Sequence, residues 1–325
     1  MKKENKKHRR LLIPLFFSTF LLLTTTYAWF SANRMVSIDS LNVHVQTDGG
    51  LEVSTNAIDW KQVVTVQDIM NARSKYATSI NQIPYQMSPV STGGNISNGM
   101  LELFGGNATN NTGNDFILVT SKSTETESFG EDSEGFFVAF DVFFRVKSNK
   151  ELYLDRNSKV EYTGKSTPGI ENATRIAFLN EGHSEDNSTV AQAMRGATNA
   201  IIWEPNYDVH TQYGVSHASS VYGLNTSQTG AARLAYDGVI SDITSANNVL
   251  ITQANASSYP TFFKSVNVDV STPKNGATNQ KILDLEATVT KVRIYMWIEG
   301  QDVDCEDNAS YGDITFDLKL STNPS

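Results

Sequence analysis

Twelve residues in the middle of the chain limit its fold more than any others. Phe136, Val138, Phe140, Val142, Phe144 and Val146 fall on one parity, and Phe137, Ala139, Asp141, Phe143, Arg145 and Lys147 on the other. A two-residue period belongs to an extended strand, whose side chains point alternately to its two faces. The first half is apolar on both parities and the second half on one. That predicts a central strand that leaves the core toward its C-terminal end. The same period returns later. Val292, Ile294, Met296 and Ile298 share one face, with Tyr295 and Trp297 on the other, and Ile314, Phe316, Leu318 and Leu320 alternate with Thr315, Asp317 and Lys319. Shorter extended segments are expected at Leu51–Ser54, Leu152–Leu154, Arg175–Leu179, Val266–Val270 and Leu285–Thr290, and at Ile201–Trp203, which is closed by Pro205. Helix is expected only around Val66 to Tyr76, with a helical turn or loop at Ala191 to Ala200.

Many strands, irregular spacing and long polar connections predict an all-β fold: an antiparallel jelly-roll-like β-sandwich with long loop insertions and a few short helices. Residues 89–114 and 120–134 read as exposed loops, and 207–260 as an irregular excursion. The expected organisation is a signal peptide at 1–28 and a single sandwich domain at 29–325, with an irregular insertion at about 155–265.

The N-terminus reads as an export signal. Lys2, Lys3, Lys6, Lys7, Arg9 and Arg10 outweigh Glu4, an uncharged apolar run follows from Leu11 to Leu23, and Thr26-Tyr27-Ala28 places small residues three and one before a cut between Ala28 and Trp29. The apolar run is shorter than the roughly 20 residues of a membrane span. An uncleaved signal would be the chain's contact with a membrane. A strand begins a few residues on. Val36 and Ile38 alternate, then Leu41, Val43 and Val45 alternate on the opposite parity. The phase slip at Asp39-Ser40 predicts a bulge. A strand released by proteolysis is a natural donor to the sheet of another chain, and Val36, Ile38, Leu41, Val43 and Val45 are the residues that would be inserted.

Charge and cysteine narrow the partners. The chain carries −9 overall and the first 28 residues +5, so the remainder carries −14. That excludes a phosphate-binding basic face and so argues against nucleic acid. The single Cys305 rules out a disulfide framework.

Thr26-Tyr27-Ala28-Trp29-Phe30, followed by Val36-Ser-Ile-Asp-Ser-Leu-Asn-Val43, resembles the N-terminus of the TasA/camelysin group of Gram-positive surface proteins. The pairing of Phe140–Phe144 with Leu152–Leu154, and the ending Val292 to Cys305, look like a larger, mostly uncharacterised clostridial and mollicute branch with similar signals. The resemblance implies a secreted jelly-roll subunit of a fibre or biofilm matrix, in which the N-terminal segment of one subunit completes the sheet of the next. Head-to-tail contact of this kind need not close and so makes a filament. Deleting residues 29–45 is then expected to abolish assembly and leave a folded domain. Self-pairing of the strand within its own domain is the competing expectation.

The chemistry expected is sparse. Camelysin's metallopeptidase label calls for a zinc site, yet no His-Glu-x-x-His occurs. His210 and His217 are seven apart and could form a metal pair, and His44 reads as exposed. Asp302, Asp304, Glu306 and Asp307 crowd one turn, where the expected states are a solvated acidic loop or a Ca²⁺ site, the one cofactor weighed. Neighbouring acids quench Cys305 as a nucleophile; a core-facing thiol or an adventitious dimer link is expected. Trp203, Tyr207, Tyr213 and Tyr222 serve as core or loop anchors, or line a glycan groove with the loops 89–114 and 207–260. The expected function is a non-enzymatic, secreted cell-surface structural protein. A carbohydrate-binding adhesion module is the alternative, and a secreted metallopeptidase ranks last.

Overall fold

The computed structural model describes residues 36–45, 50–110, 116–130, 133–164, 169–216, 238–240, 246–251, 263–265, 268–300, 302–305 and 313–324. Two sheets form the body. The first runs in the order Gln280–Leu285, Lys150–Leu154, Asp313–Ser321, Val36–Val45, Gln86–Met87, Glu134–Gly135; Lys159–Tyr162 also pairs with Asp313–Ser321, and Val63–Thr65 with Val36–Val45. The second runs Val270–Thr272, Ile201–Pro205, Thr174–Ser184, Thr288–Ile298, Phe137–Val146, Glu52–Ser54. Their inner faces share one core, in which Val43, Phe316 and Leu318 of the first sheet meet Phe140, Val142, Val292 and Ile294 of the second. This is the expected all-β sandwich-like architecture.

Among the described strand pairs most are antiparallel, and three are parallel: Val36–Val45 with Asp313–Ser321, Ile201–Pro205 with Val270–Thr272, and Gln86–Met87 with Glu134–Gly135. Parallel neighbours need a long connection, and in each case a long stretch of chain intervenes. The phase slip at Asp39-Ser40 is a bulge, because the register against Asp313–Ser321 shifts between Ile38 and Ser40. Its effect is visible in the burial. Val36, Ile38, Leu41, Val43 and Val45 are all buried although they lie on two parities.

The Phe137–Val146 strand does not leave the core as expected. Asp141 and Phe143 on its outer face are buried too. The second sheet is covered on that face by Val90, Leu101 and Leu103, which pack on Phe137, Ala139, Tyr295 and Trp297. Tyr76 and Ala191 cover Phe143 beside them. The loops around 89–134 are thus partly structural. Ile96–Ser97 pairs with Met100–Leu101, and Phe104–Asn110, Phe116–Lys122 and Ala246–Ile251 form a small sheet of their own. Two short helices add to the packing: Ile69 of Val66–Asn71 joins the shared core, and Ala191 of Ser188–Ala193 covers the outer face at Phe143. Val66–Asn71 starts at a reciprocal cap, in which Thr65 Oγ1 accepts from Asp68 N and Asp68 Oδ2 accepts from Thr65 N. Ser188–Ala193 is capped by Asn187 and begins earlier than the expected turn. The insertion expected over 155–265 is narrower than that span, since Lys159–Tyr162, Thr174–Ser184 and Ile201–Pro205 are integral to the two sheets.

Charge is buried under this cover. Asp141 Oδ1 accepts from Arg293 Nη1 at 2.7 Å, and its Oδ2 accepts from Tyr76 Oη at 2.8 Å and lies 3.2 Å from Lys291 Nζ. Glu125, from the stretch expected to be exposed, turns inward and takes Arg293 Nη2 at 2.8 Å. Lys291 Nζ also donates to the carbonyls of Gln192 and Met194. Burial pushes the Asp141 carboxyl up, but the charges of Arg293 and Lys291 outweigh it and hold the pKa at about 2.

Glu181 lies nearby with weaker support. Ala197 N donates to its Oε2 at 3.2 Å, and its Oε1 has no hydrogen-bond partner among the described residues. Burial raises its pKa to about 7 from 4.5. The folded chain therefore binds this proton more tightly than the unfolded chain does, and stability falls as pH rises from about 4.5 to about 7. Glu181→Gln keeps the amide contact and removes the charge. Thermal unfolding is expected to show wild type and variant nearly equal at pH 4.5, with the variant more stable at pH 8 by up to about 3 kcal/mol. A gap that does not change with pH would contradict this assignment.

Candidate functional site

Three adjacent strands of the second sheet release the chain at one end of the sandwich. Thr174–Ser184 starts there, and Ile201–Pro205 and Thr288–Ile298 finish there, as the pairs Thr174↔Ile298 and Ile176↔Trp203 require. The residues just beyond these ends converge on Asp304, which has no solvent exposure. Its Oδ1 accepts from Thr211 N at 2.8 Å and Thr211 Oγ1 at 2.7 Å. Its Oδ2 accepts from Asn172 Nδ2 at 3.0 Å and lies 3.2 Å from His210 Nδ1. Asp302 begins the same turn. Its Oδ1 accepts from Asp304 N, and its Oδ2 takes Arg175 Nη2 at 2.8 Å. The Arg175 guanidinium also reaches Glu204 Oε1 at 2.8 Å. Glycine makes the close packing possible. A Cβ on Gly214 would stand 2.4 Å from Val303 O and 2.9 Å from Asp304 Oδ1.

Burial pushes the His210 imidazole toward the neutral form. The hydrogen bond to Asp304 and the charges of Asp302, Asp304 and Glu204 outweigh it and leave its pKa above the ordinary histidine value. His210 Nε2 and Asn172 Oδ1 are buried and have no hydrogen-bond partner among the described residues. Among the described residues no hydroxyl or thiol stands on His210 Nε2. One nitrogen of His210 and one oxygen each of Asp302 and Asp304 lie within 4.8 Å of one another. The arrangement offers ligands to a cation.

The expected solvated acidic loop is corrected at Asp302 and Asp304, which are buried because Arg175, Asn172, Thr211 and His210 fold over them. Glu306 and Asp307, the other two candidate Ca²⁺ ligands, lie outside the described residues, as do His217, Tyr222, Ala28 and Trp29. Cys305 faces the main core and is buried. His44 is partly exposed and sits 3.3 Å from Asp317. Trp203 is fully buried and its Nε1 donates to Thr272 Oγ1 at 2.9 Å, while Tyr213 is exposed. These two do not line a common groove. Sequence reasoning missed Arg175, Glu204 and Asn172. The available signal was a charged residue set inside an apolar strand, Arg175 before Ile176 and Glu204 after Trp203, which requires a buried partner.

The Val36–Val45 strand is the second place where the expected residues come together. It sits in the interior of the first sheet. On one side it makes eight pairs with Asp313–Ser321. On the other it makes three with Val63–Thr65 and two with Gln86–Met87. No family model, curated protein or solved structure matches this chain.

Proposed function

We propose that the chain is an exported structural subunit that assembles outside the cell by lending its Val36–Val45 strand to a neighbouring copy. The observation that carries this reading is the seat of that strand. A segment close behind a signal-like stretch supplies five buried apolar side chains to the middle of a sheet. Among the described residues its second side is held by two very short strands. Exchange between identical copies keeps every contact, so it costs little beyond the freedom lost on association. Every open slot accepts the next copy's strand, and the contact runs head to tail.

A removable lock tests this. Ser40 Oγ donates to Thr315 Oγ1 at 3.3 Å across the parallel pair. Cysteines at both positions would join the strand to its own sheet, within ordinary disulfide reach. Residues 29–325 are expected to form filaments in negative-stain electron microscopy at high concentration. The oxidised Ser40→Cys/Thr315→Cys variant should remain dispersed and polymerise once reduced. Dispersed wild-type particles, or filaments from the oxidised variant, would refute strand exchange.

A further inference from the structure

We propose that His210, Asp302 and Asp304 bind one divalent first-row metal ion of the Zn²⁺ or Mn²⁺ kind. Three observations carry this. The first is geometric. The three offered ligand atoms lie within 4.8 Å of one another, and His210 Nδ1 is 3.2 Å from Asp304 Oδ2. Ligands about 2.1 Å from a metal sit roughly 3 to 4 Å apart, so a metal can replace the shared proton with small movements.

The second is charge. Asp302, Asp304 and Glu204 are buried around one guanidinium, Arg175. With His210 neutral, as a metal ligand is, the formal charges of these four described groups sum to −2, and buried charge is costly without compensation. A divalent ion balances them. The third is an unpartnered atom. Asn172 is 4 % exposed, its Nδ2 donates to Asp304 Oδ2, and its Oδ1 has no hydrogen-bond partner among the described residues. Asn172 Oδ1 is a further neutral oxygen beside the carboxylates. An imidazole nitrogen with carboxylates suits first-row metals. Calcium takes six to eight oxygens, more than the described residues of this set supply. The ion would tie the segment after Pro205 to the turn after Ile298, 94 residues apart at His210 and Asp304.

The test is calorimetric titration of the chelator-treated protein with ZnCl₂, MnCl₂ and CaCl₂, paired with thermal unfolding. One equivalent of Zn²⁺ or Mn²⁺ is expected to bind at least tenfold more tightly than Ca²⁺ and to raise Tm. His210→Gln is expected to weaken binding at least tenfold. The chain has five histidines. Replacing His8, His44, His183 and His217 with alanine leaves His210 alone, and Mn²⁺ bound to that protein should show imidazole nitrogen coupling in pulsed electron paramagnetic resonance. The nitrogen coupling decides the matter even if His210→Gln does not fold. No saturable binding, a preference for Ca²⁺, affinity unchanged in His210→Gln, or absence of nitrogen coupling would each overturn the site.

Discussion

A chain that begins at residue 46 is expected to lose its cooperative unfolding transition and to regain it when a synthetic peptide of residues 36–45 is added. Val36, Ile38, Leu41, Val43 and Val45 are all buried in the shared core. Burying one such side chain is worth roughly 1.5–3 kcal/mol. Five together contribute on the order of 10 kcal/mol, as much as the whole stability of a typical domain. Removal also uncovers Phe316 and Leu318 along a bare strand edge. The sequence-based expectation that the truncated chain stays folded is therefore revised. Circular dichroism and urea unfolding, with a scrambled peptide as control, measure the outcome. A truncated chain that unfolds cooperatively without peptide would remove the strand from the centre of the fold and the donor role with it.

Asp141→Ala is expected to cost about 3–5 kcal/mol, because it leaves Arg293 and Lys291 buried without their shared carboxylate. Burial already lowers the Lys291 pKa below its usual value although Asp141 pulls it upward. Without Asp141 the amine is driven further toward neutrality. The same carboxylate sets an acid limit. Its pKa is about 2 in the folded chain against an ordinary 3.8. Its contribution is then complete above about pH 4 and fades as pH falls through 2. Urea unfolding at pH 7 is expected to show the full loss in Asp141→Ala, and at pH 2 a much smaller difference from wild type. A loss under about 1 kcal/mol at pH 7 would show that the cations find other partners.

The strands were legible because their patterns are local. Val292 to Ile298 and Ile314 to Leu320 alternate cleanly, and the bulge was written in the parity change between Ile38 and Leu41. Thr65 and Asp68 likewise mark the start of a helix three residues apart. What the pattern could not give is which face a polar residue meets. Asp141 reads as solvent-facing by its parity, yet Tyr76, Glu125, Lys291 and Arg293 arrive from distant segments and bury it. The acidic turn failed in the same way. Asp302 and Asp304 look like a solvated cluster until Arg175 and His210, far away in sequence, are folded onto them. Burial of charge is a property of contacts with high sequence separation, and no short window contains them.

The direction of one strand pair governs how the fold carries force. Val36–Val45 and Asp313–Ser321 run parallel, so the Val36 end of one and the Ser321 end of the other lie at opposite ends of their ladder. Tension applied between those two points slides the strands past each other. All eight pairs then resist together in shear, whereas a hairpin pulled from its open end yields one rung at a time. If the ladder is made between copies, the pull along a fibre runs through the same eight pairs. Rupture force, set by the rate at which the whole ladder slips, is then the quantity that this pairing controls.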